Sequence, residues 1–68
     1  MNIQGSLNIG RNVPYTSAAL AVTSTTQGIG FPVLTTAEKN AIGLPIIGLV
    51  VFDSTLGRLS AYNGTAWT

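Results

Sequence analysis

A helix start at Thr35 and a helix stop at Gly43-Leu44-Pro45 lie so close together that the segment between them cannot be stable alone. Thr35-Thr36-Ala37-Glu38 is a capping-box pattern, in which a Thr hydroxyl accepts a backbone N–H three residues on and Glu38 reaches back. Gly43 suits a left-handed cap, and Pro45 cannot extend a helix. The helix this predicts, at about 36–42, makes roughly two turns, well short of what an isolated helix needs. It has to lean on something.

The next residues supply the support. Gly48-Leu49-Val50-Val51-Phe52-Asp53 is an apolar run of β type, and Ser54-Thr55-Leu56-Gly57 reads as a turn. Arg58 to Tyr62 reads as a half-buried strand, and Asn63-Gly64 predicts a tight type I′ hairpin turn flanked by Tyr62 and Trp67. The expected fold is therefore mostly β, a small antiparallel meander with one short helix and a C-terminal hairpin at about 48–68. Leu49, Val51 and Phe52 are placed in the buried sheet, packed against the helix.

The N-terminal half is less regular. Ile3, Leu7 and Ile9 alternate with Asn2, Gln4, Ser6 and Asn8, as in a half-buried strand. Gly5 takes an apolar-phase position, which predicts a close neighbour there. Gly10 to Pro14 reads as a turn or linker, so residues 1–14 are either an edge strand of the same domain or an arm gripping another protein. Residues 15–68 form the β-rich module. Ala18 to Val22 is apolar throughout, which fits a strand buried on both faces better than a helix. Ser24 to Gly28 is a polar turn, and Ile29 to Leu34 is a strand that Pro32 confines to an edge or a bulge.

Charge and stapling then exclude a self-sufficient monomer. A chain of 68 residues is near the size at which one core gives little stability. It has no Cys for a disulfide and no His for the usual zinc sites. Only 7% of its residues are charged, against about 25% in typical soluble domains. With 46% hydrophobic residues, a lone chain would expose apolar surface of the kind that marks interfaces. Oligomerisation is the remaining staple. The candidates for the oligomer core or interface are Leu20, Val22, Phe31, Leu49, Val51, Phe52, Leu59, Tyr62 and Trp67.

A membrane does not explain this apolarity. A spanning helix needs about 20 apolar residues, and the run Leu44 to Phe52 is broken by Pro45 and Gly48. No basic n-region followed by an apolar h-region opens the chain, so the expected route avoids secretion. Nucleic acid is excluded as a partner, because Arg11, Lys39 and Arg58 are scattered and balanced by Glu38 and Asp53 to a net charge of +1.

The ordered series Thr25-Thr26-Gln27-Gly28, Phe31-Pro32, Leu34-Thr35-Thr36-Ala37-Glu38, Ala41-Ile42, Pro45, Gly48 to Asp53 and Tyr62-Asn63-Gly64-Thr65-Ala66-Trp67 resembles a known module. It is similar to one in bacteriophage virion structural proteins, chiefly tail fibres and head fibres or decorations, and in related bacterial surface proteins. The resemblance covers roughly residues 18–68. It implies a non-enzymatic, often trimeric and fibrous structural protein, synthesised in the host cytoplasm and resident in the virion. It also implies partners among other virion proteins, and either a small virion protein or a segment of a longer fibre. The alternative it leaves is a tail-fibre module recognising a host receptor or glycan.

Catalytic templates fail on composition. Without His or Cys there is no imidazole base and no thiol nucleophile. The acids Glu38 and Asp53 are accounted for by the capping box and by a turn at a strand end. Gly28-Ile29-Gly30 lacks the third glycine and the βαβ context of a dinucleotide loop. No catalytic, cofactor or metal residue is expected. Tyr15, Tyr62 and Trp67 are the aromatics from which a sugar platform would be built, with hairpin packing as the competing role of Tyr62 and Trp67.

Overall fold

A computed structural model describes residues 5–10 and 17–68. Tyr15 and the alternation at Ile3 fall outside the described residues. The fold is mostly strand with one short helix, in two small sheets. β1 (Leu7–Ile9) and β2 (Leu20–Val22) form one pair. β3 (Val33–Leu34), β4 (Val50–Asp53) and β5 (Arg58–Ala61) form a three-stranded sheet in that order, with α1 (Thr36–Asn40) between β3 and β4.

The antiparallel meander is corrected. Only β4 and β5 run antiparallel, while β1–β2 and β3–β4 are parallel. The reason lies in α1. A strand that leaves the sheet, crosses its face as a helix and re-enters runs in its original direction. Hydrophobic pattern assigns side chains to faces and leaves strand direction open.

The helix forms as its cap predicts. Thr35 Oγ1 accepts from the Glu38 N–H at 3.1 Å, and the Glu38 carboxylate accepts from the Thr35 N–H at 2.9 Å. The helix is shorter than expected, with Ala41 as C-cap. The left-handed residue beyond it is Leu44, at φ 52°, and not Gly43. Leu44 is 97% exposed, so its side chain gains almost nothing from packing to offset that conformation.

Pro32 sits where a missing donor does no harm. Its carbonyl accepts from the Phe52 N–H at 2.9 Å, and β3 begins at the next residue. The strand expected over Ile29 to Leu34 is thus reduced to two residues. β2 is not buried on both faces, because Leu20 and Val22, which share one face, remain 56% and 37% exposed. The close approach assigned to Gly5 belongs to Gly10. A Cβ on Gly5 would meet nothing, whereas one on Gly10, at φ +81°, would collide with the Thr23 carbonyl. Ser24 Oγ accepts from the Thr26 and Gln27 N–H groups, which closes the polar turn after β2.

The terminal turn is wider than a type I′ hairpin. Gly64 has φ +99°, but Asn63 is not in the left-handed region. Tyr62 pairs with Trp67 across a loop in which Asn63 Oδ1 accepts from the Thr65 and Ala66 N–H groups. Asn63 therefore acts through its side chain, as an Asx turn. A Cβ on Gly64 would come within 2.9 Å of Ile47 Cγ1. Gly64→Val is expected to destabilise the chain by more than about 1 kcal/mol, through the disfavoured φ and the displaced Ile47. Thermal unfolding followed by circular dichroism checks this, and an unchanged melting temperature contradicts it.

Candidate functional site

The three-stranded sheet has two unlike faces. Side chains alternate along β4, so Val51 and Asp53 point to one face and Val50 and Phe52 to the other. The register places Ser60 opposite Val51, and Leu59 and Val33 beside Phe52. α1 covers the Val51–Asp53 face, so Val51 packs beneath the helix as expected, whereas Phe52, one residue on, faces away from it because side chains alternate along the strand. Among the described residues, Val51 is the one buried hydrophobic side chain, while Lys39, Asp53 and Ser60 are the buried polar ones.

Those polar groups form one network. Thr36 and Lys39 lie three residues apart, so a single helix face carries both toward β4. The Lys39 ammonium lies 2.9 Å from Asp53 Oδ2, and the Thr36 hydroxyl donates to the same carboxylate at 2.7 Å. Asp53 Oδ1 accepts from the Thr55 and Leu56 N–H groups, both at 2.9 Å. Lys39 also donates to Ser60 Oγ at 3.2 Å, and the Ser60 hydroxyl donates to the Thr68 carbonyl at 2.9 Å. Helix, central strand, edge strand and terminal segment thus meet at one ion pair.

Asp53 is held as a carboxylate. Burial opposes ionisation, but the Leu56 N–H, Lys39 and Thr36 outweigh it and keep the pKa well below the ordinary carboxylate value. The network ties the helix, two strands and the terminal segment together. No cluster of metal-ligating side chains occurs among the described residues, and no described helix is long and apolar enough to cross a membrane.

Trp67 joins this side of the sheet. Its ring meets Tyr62 edge to face, at 5.4 Å and 61°, and Lys39 Nζ lies 5.5 Å from the ring centroid. Both aromatic partners are thereby engaged within the chain, as hairpin packing requires.

The interface candidates divide. Val51 is buried, and Leu49, Phe52, Tyr62 and Trp67 are half-buried. Leu20, Val22, Phe31 and Leu59 lie on the surface of the single chain. Ile9, Leu20, Val22 and Ile29 line an open apolar groove of about 420 Å³ beside the β1–β2 pair. Sequence reasoning missed Lys39, because a lysine on a short helix reads as solvated. The signal was its spacing from Thr36 on one helix face, together with an acid closing an apolar strand.

Because Asp53 has a lowered folded pKa, its contribution is present above the ordinary carboxylate pKa of about 3.9 and is lost as pH falls toward the folded value. Melting temperature is expected to drop as acid is added below about pH 4. Asp53→Asn should lower the melting temperature at neutral pH and weaken the acid dependence. Lys39→Met, which strands the buried carboxylate, should destabilise the chain and shift Trp67 fluorescence to the red. Unchanged emission and stability would remove the network from its structural role.

No curated protein and no solved structure matches the chain. A family model described as the phage tail like trimerisation region matches residues 8–68. The chain belongs to that family, and it is a structural module of phage tail type.

Proposed function

We propose that this chain is a non-enzymatic structural component of a phage particle that works by assembling as a homotrimer. The observation that carries the proposal is surface. The chain exposes 5349 Å², whereas a compact monomer of its mass exposes about 4,000 Å². Its Cα radius of gyration is 14.4 Å, against about 11 Å for a compact domain of this length. Apolar side chains contribute to that surface, with Leu7, Ile9, Leu20, Ile29, Val33 and Ile46 among the exposed ones. Such surface exceeds what isolated soluble chains ordinarily present, and the family's trimerisation supplies its cover.

Leu20, Val22, Phe31 and Leu59 act as contacts between copies, and Val51 with Leu49, Tyr62 and Trp67 as the packing of each copy. The trimer docks on other proteins of the virion, as a fibre or a capsid decoration. Engagement of Trp67 by Tyr62 and Lys39 favours this structural role over a sugar-stacking platform.

Sedimentation equilibrium at micromolar concentration is expected to give three times the 7.0 kDa chain mass. Dilution should lower the melting temperature, because folding and association are linked. A well-folded monomer with a concentration-independent melt overturns the proposal. Mass spectrometry of purified virions checks the location.

A further inference from the structure

The three-stranded sheet is built inside out. Its covered face holds Lys39, Asp53 and Ser60, while its open face presents Val33, Val50, Phe52, Leu59 and Ala61. Every side chain on the open face is apolar. Val33, Phe52 and Leu59 fall in one row across β3, β4 and β5, with Val33 64% and Leu59 52% exposed and Phe52 half-buried between them. Burial of polar groups beneath an apolar exterior is unfavourable for a chain on its own, since the exposed row forfeits the hydrophobic term. Something has to cover that row.

We infer that the open face, centred on Val33, Phe52 and Leu59, packs against the same face of two further copies around the trimer axis. This rests on the trimer proposed above and names the surface that builds it. Three arguments identify a second copy as the occupant. The face carries no charge, so bringing identical faces together incurs no like-charge repulsion. The exposed large hydrophobic side chains of β3 and β5, Val33 and Leu59, both belong to this face, so a copy of the same face offers each an apolar partner. Finally, the row lies within the residues matched by the trimerisation family.

The chain has no cysteine, so single cysteines report proximity cleanly. Leu59→Cys is compared with Ala37→Cys, whose side chain is exposed on the helix across the sheet. Each variant is treated with a short bismaleimide at micromolar concentration; sedimentation reads its oligomeric state and denaturing electrophoresis its cross-linked species. The expected result is extensive covalent dimer from Leu59→Cys, where each thiol links one neighbour, and little from Ala37→Cys. In parallel, Leu59→Glu and Val33→Asp should convert the trimer into monomers that keep β-type circular dichroism. A trimer in which Leu59→Cys links no better than Ala37→Cys overturns the face while leaving the trimer standing. A wild-type monomer overturns the trimer itself. If the acidic variants unfold, the cysteine pair alone decides, since Leu59→Cys keeps an uncharged side chain at an exposed position.

Discussion

The Lys39–Asp53 ion pair is the interaction on which the remaining structure depends. A five-residue helix has no independent stability, so its place must come from tertiary contact. Thr36 and Lys39 supply that contact through one carboxylate at the end of the central strand. The same carboxylate organises the β4–β5 turn by accepting from Thr55 and Leu56, while the Asp53 carbonyl accepts from the Gly57 N–H at 2.7 Å. Lys39 then reaches Ser60, and Ser60 reaches the Thr68 carbonyl. One buried pair positions nearly every element of residues 33–68.

Buried ion pairs are weak sources of stability, because the desolvation of two charges offsets much of their attraction. Their worth here is positional. An apolar contact of similar size would let the short helix slide over the sheet. A carboxylate with several directed donors admits few arrangements. Losing one partner leaves the other charged and buried, so the network is held together or lost as a unit.

The polar interior has a consequence outside. Val51 alone cannot supply a hydrophobic core for residues 33–68, and the apolar side chains that would ordinarily form one lie on the opposite face and in the β1–β2 groove. Under the proposed trimer, a single chain is one third of a packing arrangement. In a trimer the directed polar contacts would define each subunit, and the undirected hydrophobic term would hold the subunits together. Edge strands fit the same picture. β1, β2 and β3 are only two or three residues long and leave little ladder for stray pairing, which in the proposed trimer leaves association to the faces.

What the sequence determined by itself was local. The Thr35–Glu38 capping box, the turn after Asp53, the polar turn at Ser24 and the strand character of Val50–Asp53 and Arg58–Ala61 all follow from short-range chemistry, which acts over a few residues whatever the fold. Length, charge and the lack of Cys and His likewise pointed to association. Tertiary structure decided the rest. The parallel pairings of β1–β2 and β3–β4 depend on the path of the chain between strands, which side-chain alternation does not encode. The left-handed residue moved from Gly43 to Leu44, and the terminal turn widened because Asn63 spends its side chain on backbone donors. The partnership of Lys39 with Asp53 joins residues far apart in the chain. Each taken singly has an adequate local explanation, a solvated lysine and a turn aspartate, and only the folding of α1 onto β4 brings them within 2.9 Å and turns the sheet inside out.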